Sequence, residues 1–305
     1  MPRTRIVRTL PPAARASAAR SAAGGPAWEE YFLYSADFTG AKALAAGTLD
    51  GAPTVQAFDD FPIAIGSDSD FRWLKTMYAP TQDKVYFRVQ DDTSGRRLHR
   101  STLDARAVAG RGAALTGLPS ETTALLPYIL PRPYTIAAAS TLTIGAADFS
   151  GISNPTRFTL HGTKLRPGYA PWERDASGRP RRIAVELPYT IVLPPDGQSA
   201  AILANGSALF NAPVDIEADF LVRRITAIHT GTALVTLQDG AGRDRLWMDR
   251  AVDLSLVAGN GLFPNYLPAP RFVYRGASVT ATVSDTSGAT NRVRIYLAGV
   301  KLYEA

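Results

Sequence analysis

The sequence FNAPVDIEADFLVRRITAIHTGTALVTLQ, from Phe210 to Gln238, decides the fold because its short motifs also occur earlier in the chain. Within it, Asp219-Phe220 repeats Asp70-Phe71, and Gln238-Asp239 repeats Gln90-Asp91. Three further pairs follow in the same order: Gly95-Arg96 with Gly242-Arg243, LPRPYT (130–135) with LPAPRF (267–272), and HGTKL (161–165) with AGVKL (298–302). An ordered series of repeated motifs indicates that the chain contains two copies of one domain.

The spacing of the repeated motifs changes by more than one residue at a time only once along the chain. Gln238 lies 148 residues after Gln90, whereas Lys301 lies 137 residues after Lys164. The second copy therefore carries one deletion of about 11 residues, opposite the Gly/Pro/Ser/Thr-rich stretch 115–129 of the first. Loops accept such changes because their backbone is solvated rather than paired in a sheet. The predicted boundaries are a basic arm at 1–27, a first copy at 28–168, a linker at 169–185 and a second copy at 186–305.

The composition is that of a globular chain with room for two cores. Of its 305 residues, 46% are hydrophobic and 20% charged, which suits two domains of about 120 to 140 residues. The 33 Lys and Arg exceed the 27 Asp and Glu by six. Cysteine is absent, which excludes disulfides and thiolate metal sites. Because no apolar run approaches the roughly 18 to 20 residues that span a bilayer, we expect no membrane partner.

Hydrophobic residues alternate with polar ones in short runs. Val85, Phe87 and Val89 alternate in this way, and the same period of two recurs in the second copy at 278–284 and 292–303. Such runs, separated by Gly/Asp turns, are typical of strands with one buried face. We therefore predict an all-β fold of two tandem jelly-roll-like β-sandwich domains with an extended N-terminal arm. Helix is expected only as a turn or two near 103–108 and 251–256.

The arm differs in composition from the rest of the chain. Residues 1–27 are rich in Arg, Ala and Ser and contain no acidic residue. Three interpretations stay open: a solvated tail, a transit peptide, which Pro11-Pro12 disfavours by interrupting a helix, and an arm that becomes ordered on a partner. In the third, arginines pair with carboxylates or phosphates of that partner. The candidate partner-binding residues are Arg3, Arg5, Arg8, Arg15 and Arg20.

Motifs for catalysis are scarce. The histidines His99, His161 and His229 are not spaced as a helical metal-binding pair, and the repeat replaces His161 by Ala298. There is no GxSxG nucleophile motif and no phosphate-binding GxxxxGK[ST] loop. We therefore predict that the protein is not an enzyme and has no catalytic residues and no cofactor.

Two acidic pairs are candidate calcium ligands. Asp68 and Asp70 of the first copy correspond to Glu217 and Asp219 of the second, and hard cations bind carboxylate oxygens. Each pair offers only two carboxylates and directly precedes a Phe. A role at a turn, with Asp accepting backbone N–H groups, is the favoured interpretation, and we predict no metal site.

The order of motifs in each copy resembles small β-sandwich virion proteins of tailed bacteriophages. The resemblance rests on the acidic turn with Phe, the Gln-Asp turn, the LPxP motif, the closing GxKL motif and the sequence LFNAPVDIEADF (209–220), and it covers nearly all of the chain beyond about residue 28. It implies a structural protein on the particle surface, made in the host cytoplasm. The implied roles are a capsid decoration or cement protein and, alternatively, a neck, collar or tail accessory protein.

The implied partners are the major capsid protein or other virion subunits. We expect a homo-oligomer, with a trimer favoured because it suits a local threefold axis of a capsid. Nucleic-acid binding through the arm would be salt-sensitive and unspecific. It is disfavoured because the sandwich sequences show no basic stripe interleaved with aromatic residues.

A carbohydrate- or host-receptor-binding module is the rival function from another class. Its candidate stacking residues are Trp73, Trp172 and Trp247, although a packed position is favoured for each. An enzyme such as a glycan depolymerase ranks third.

Overall fold

The chain is all-β, as a computed structural model shows. The described residues are 19–20, 26–40, 43–44, 58–80, 85–97, 103–105, 109–114, 123–126, 128–148, 151–175, 177–195, 198–240, 244–259 and 264–304. Within these ranges, no helix has the length and apolar character that crossing a membrane requires.

Twelve of the described strands precede residue 170. They are β1 Ala19–Arg20, β2 Pro26–Phe38, β3 Asp59–Ala64, β4 Asp70–Pro80, β5 Val85–Asp91, β6 Arg96–Arg97, β7 Leu103–Asp104, β8 Gly110–Ala114, β9 Thr123–Leu126, β10 Tyr128–Ile136, β11 Thr141–Asp148 and β12 Thr156–Pro167.

Ten described strands and one short helix follow. They are β13 Ile183–Leu193, β14 Ala201–Ile202, β15 Ser207–Pro213, β16 Asp219–His229, β17 Ala233–Gly240, β18 Asp244–Leu246, β19 Val252–Asp253, α1 Leu254–Val257, β20 Asn265–Val273, β21 Ser278–Asp285 and β22 Asn291–Glu304.

The two halves of the chain have the same strand order. In the first sandwich, sheet 1 contains the path β2-β12-β4-β10, extended by β1 beside β2 and by β8 and β9 beyond β4, and sheet 2 has the order β3-β11-β5-β6. In the second sandwich, sheet 3 has the order β13-β22-β16-β20, and sheet 4 has the order β15-β21-β17-β18. The prediction of an all-β sandwich fold is confirmed. We interpret the strand order as that of a jelly roll, in which two Greek keys form two facing sheets.

Alternate residues along the strands are buried, which explains why the two sheets of a sandwich pack face to face. Every second residue of β5 is buried, beginning with Val85, and β17 alternates in the same way. The buried side chains of sheets 1 and 2 form one hydrophobic cluster that includes Phe71, Phe87 and Phe158. Because side chains on one strand point alternately to opposite faces, this pattern places one face of each strand in a core.

The repeated acidic motifs have the same role in both sandwiches. Asp70 accepts a hydrogen bond from the backbone N–H of Ala138 at 2.9 Å, and Asp219 accepts one from that of Arg275 at 2.8 Å. The predicted role of these aspartates as acceptors of backbone N–H groups is confirmed.

The glycine of each GxKL motif lies opposite a β-bulge. The register shifts between His161 and Gly162 in the pairing of β12 with β4, and the pairing of β22 with β16 shifts at the corresponding place. A Cβ atom on Gly162 would lie 2.2 Å from the carbonyl oxygen of Arg72, and one on Gly299 would lie 2.0 Å from that of Leu221. The main chains approach too closely at the bulge for any side chain.

Replacing Gly299 by Ala is therefore expected to lower the free energy of unfolding by about 2 to 3 kcal/mol, since backbone must move to admit the methyl group. Urea denaturation measures this. Gly288→Ala is the control, because Gly288 has a φ of +73° but no atom within 4 Å of an added Cβ, and its cost is about 1 kcal/mol. An equal loss in both variants would contradict the close approach at Gly299.

The segments outside the two sandwiches agree in part with the sequence predictions. β13 begins at Ile183, inside the predicted linker, and α1 lies in the region 251–256 predicted to contain a helical turn. Its counterpart near 103–108 begins as strand β7 and is helical at Ala105, whose carbonyl oxygen accepts a bond from the N–H of Ala109, and 106–108 lie outside the described residues. So do Arg3, Arg5, Arg8 and Arg15 of the arm. The backbone of Arg20, in β1, pairs with Pro26 of β2.

Candidate functional site

The second sandwich covers the free edge of sheet 1. Leu33 of β2 donates its N–H to the carbonyl oxygen of Trp247 at 3.1 Å and accepts a bond from the N–H of Asp249 at 3.1 Å. The N–H of Ser35 donates to the carboxylate of Asp249 at 3.1 Å. An edge strand has unpaired backbone groups that attract another chain. Here the protein's own second half pairs with them.

A buried cluster of charges joins the two sandwiches beside this edge. Glu30 of β2 and Arg271 of β20 are each 1% exposed, and Asp239 of β17 is fully buried. Arg271 lies 3.0 Å from Glu30 and 2.9 Å from Asp239. Arg245 contacts the same two carboxylates, at 3.2 Å and 2.5 Å. The indole N–H of Trp247 donates to Asp239 at 2.6 Å.

Burial lowers the pKa of Arg271, and the charges of Glu30 and Asp239 offset part of this effect. Arg166 also lies 2.9 Å from Glu30 and pairs with Asp68 at 2.6 Å, so each charge of the cluster faces at least one group of opposite sign. A buried charge is tolerated only when partners such as these surround it. The cluster therefore serves to hold the sandwiches together.

Comparison of the two copies shows which part of the cluster is specific to the interface. In the first sandwich, Tyr134 stands at the position of Arg271, and its hydroxyl donates to Asp91, the counterpart of Asp239, at 2.8 Å. Glu30 pairs in register with Lys164, and Leu187 pairs with the corresponding Lys301. The Asp is thus common to both copies, whereas Glu30 and Arg271 occur only where the sandwiches meet.

His161 lies in the same interface. Its ring is fully buried, and Nδ1 lies 3.3 Å from the hydroxyl of Tyr31. Burial lowers the pKa of His161 to about 3, and the charge of Lys75 contributes in the same direction. Burial also raises the pKa of Tyr31. The pair is therefore neutral at physiological pH and packs as part of the interface.

The tryptophans considered for sugar stacking are packed inside the molecule. Trp73 is 2% exposed and donates its indole N–H to the carbonyl oxygen of Lys75, and Trp247 is fully buried. Trp172, in the linker, packs edge-on against Trp28 with ring centroids 5.7 Å apart and also contacts Phe272. The favoured packed position is confirmed for Trp73 and Trp247.

The acidic residues considered as metal ligands are engaged by basic groups. Asp68 contacts Lys164 at 3.1 Å and Arg166 at 2.6 Å. Burial opposes ionisation of Asp68, but these two cations outweigh it and lower its pKa. Among the residues that the structure describes, no three His, Cys, Asp or Glu side chains form a group that could hold a metal ion.

A groove of about 870 Å³ lies at the linker. Its charged side chains pair with one another. Arg181 lies 2.6 Å from Asp219, and Arg275 lies 3.3 Å from Glu304. The positive and negative charges that line the groove therefore offset one another.

The outer face of sheet 3 is open and basic. Tyr266 is 60% exposed and Ile228 is 51% exposed on this face. A groove of about 440 Å³ runs beside Tyr266. Four exposed arginines surround these residues: Arg223, Arg224, Arg292 and Arg294. The sequence did not predict this basic face, because it is assembled from three separate strands.

Comparisons with known proteins identify no relative. No family model and no curated protein matches the chain. The tandem CBM22 domains of Paenibacillus barcinonensis Xyn10C align over 86% of this chain and 99% of their own, at 10% identity and a TM-score of 0.16. A peptide-N4-(N-acetyl-β-D-glucosaminyl)asparagine amidase aligns over 89% and 96%, at 8% identity and a TM-score of 0.20.

The T=1 particle protein of Penaeus vannamei nodavirus aligns over 88% of this chain and 98% of its own, at 11% identity and a TM-score of 0.21. Scores this low carry no argument about the function of the chain.

Proposed function

We propose that the protein is a structural component of a tailed-bacteriophage virion, a decoration or cement protein that binds the particle surface and stabilises it. The observation that carries the proposal is the interface between the sandwiches. Main-chain bonds at Leu33 and the buried cluster of Glu30, Asp239 and Arg271 join the two halves into one body. Buried ion pairs of this kind fix the arrangement of the parts that they join, which suits a structural component of a larger assembly.

In this proposal the arm supplies the attachment. β1 pairs with the beginning of β2, the edge strand that also contacts the second sandwich, and residues 1–18 precede β1 in the sequence. Five arginines without acidic neighbours pair with carboxylates of the major capsid protein. A segment of this composition gains order from its partner, which gives it a long reach over neighbouring subunits.

The test is co-sedimentation with particles that lack the protein. Full-length protein is expected to sediment with them, and a variant starting at Trp28 is expected to lose most of this binding. A full-length variant with Arg3, Arg5 and Arg8 changed to Gln keeps the length of the arm and isolates its charge. We expect its binding to weaken about tenfold at low salt and the difference to shrink as salt rises.

The position on the particle is read by gold labelling of the bound protein. Label over the whole head supports a decoration role. Label confined to the neck or tail would move the protein to the alternative role of a collar or tail accessory. Failure of every variant to bind would contradict a virion role, and a glycan array would then test the carbohydrate-binding alternative.

A further inference from the structure

The same sheet face is covered in one sandwich and open in the other. On sheet 1, the outer face presents Tyr31, Leu33 and Met77, all fully buried in one hydrophobic cluster with the second sandwich. The strand register places Pro188 and Thr190 of sheet 3 at the positions of Tyr31 and Leu33, and both are exposed. The repeat therefore presents a second copy of a known docking face.

An arginine shows how the covered face is recognised. Arg157 of β12 lies 3.3 Å from Asp37 of the neighbouring strand β2 and 3.8 Å from Asp253 of the second sandwich, and Asp249 of the same segment accepts a bond from the edge of β2. The covering body therefore brings carboxylates to the face. The counterpart of Arg157 in the second copy, 137 residues later, is Arg294, which is exposed on the open face.

The open face has an apolar centre and a basic rim. Ile228 and Arg294 are paired in register, as are Arg224 and Tyr266, so all four side chains lie on the same face of sheet 3. Glu186 lies 3.8 Å from Arg223 and offsets one positive charge. An apolar centre with arginines around it is the composition of a protein interface.

The charge selects the partner. Pairing this face with itself in a second copy would set arginines against arginines, and like charges across an interface cost several kcal/mol. Pro188 also removes one N–H from the edge of β13, which disfavours simple addition of a strand there. A partner surface with carboxylates around an apolar patch avoids repulsion between arginines and does not require strand addition at β13.

We propose that the outer face of sheet 3 binds an acidic protein surface of the particle, with Arg294 pairing to a carboxylate as Arg157 does within the chain. The proposal rests on the proposed function and names the surface that carries out the docking. Arginine suits this role because its planar fork of N–H groups matches a carboxylate. The arm and the face then hold the particle at two separate places.

The experiment compares two charge reversals in the full-length chain. Arg294→Glu changes the open face, and Arg132→Glu changes an exposed arginine of β10 in the first sandwich. Binding to particles that lack the protein is measured by co-sedimentation at several salt concentrations. We expect Arg294→Glu to bind at least about tenfold more weakly and Arg132→Glu to stay within about twofold of the original chain. Tyr266→Ala is a second, uncharged variant of the face and is also expected to weaken binding.

Each other result overturns the proposal in a distinct way. If the original chain, Arg294→Glu and Tyr266→Ala all bind particles equally well, this face is excluded as the docking surface and the proposed function stands. Absence of binding by the original chain would remove both. The original chain could bind immobilised heparin as strongly as it binds particles. If Arg294→Glu loses both kinds of binding, the face is assigned to a sulfated polysaccharide. If light scattering shows an oligomer that Arg294→Glu dissociates, and particle binding does not change, the face is assigned to contact with a second copy of the chain.

Discussion

Replacing Asp239 by Ala is expected to lower the free energy of unfolding by about 3 to 5 kcal/mol. Its carboxylate accepts bonds from Arg245, Arg271 and the indole of Trp247. Once it is removed, the guanidinium group of Arg271 stays buried with only Glu30 as its countercharge. The cost arises chiefly because Glu30 is shared with Arg166 and Arg245 and cannot fully compensate a cation that water does not reach.

Urea denaturation followed by tryptophan fluorescence measures this loss, since Trp247 lies in the cluster. Asp91→Ala is the matched control in the first sandwich. Its carboxylate accepts bonds from the Tyr134 hydroxyl and from the backbone N–H groups of Thr93 and Ser94, so its removal strands no buried cation. We expect a smaller loss of about 1 to 3 kcal/mol. Equal losses of stability in Asp239→Ala and Asp91→Ala would show that the buried charge cluster between the sandwiches contributes no stability beyond that of the turn that both copies share.

An exposed ion pair provides the lower reference. Arg223 and Glu186 lie 3.8 Å apart and are both more than half exposed. Glu186→Ala is expected to change the stability by less than about 1 kcal/mol, because solvent screens such pairs.

The second large effect is a loss of stability in acid that depends on His161. Burial holds the pKa of His161 at about 3 in the folded protein, against 6.5 for an ordinary histidine. Below pH 6.5 the unfolded chain therefore takes up a proton that the folded chain does not. Stability is fully present above this pH and falls by about 1.4 kcal/mol for each unit of pH below it, until the folded protein also binds the proton near pH 3.

The measurement compares the stability of the original chain with that of His161→Ala between pH 7 and pH 4. The copy that carries Ala298 shows that alanine fits this position of the strand. We expect the original chain to lose about 3 kcal/mol more than the variant over this range. Carboxylates that titrate in acid are common to both proteins and cancel in the difference. His229→Ala, which changes a half-buried ring in β16, is the control. Parallel curves of stability against pH for His161→Ala and the original chain would contradict the prediction.

Repetition and alternation in the sequence were sufficient to predict the all-β class and the strands with one buried face. A period of two places side chains on opposite faces whatever surrounds the strand, so Val85, Phe87 and Val89 are buried as predicted. The paired motifs at Asp70 and Asp219 form the same bond in both copies, to backbone N–H groups 68 and 56 residues further along the chain, because the duplication repeats the whole strand arrangement.

The basic face escaped prediction because its members are distant in sequence. Arg224, Tyr266 and Arg294 belong to three strands, and only the register of β16 with β20 and β22 brings them onto one face. The alignment of Arg157 with Arg294 was available in the sequence. Its meaning depended on seeing Asp253 beside Arg157.

The sequence by itself determined the all-β class, the two equivalent halves and the residues at their turns, since these follow from local backbone preferences and from the duplication. Only the tertiary structure decided which sheet face is covered and which is open. Glu30 and Arg245 meet across a separation of 215 residues, and such a contact depends on how the two sandwiches pack. Local patterns define each domain, whereas the packing of two nearly equivalent domains is set by the few charged side chains in which they differ.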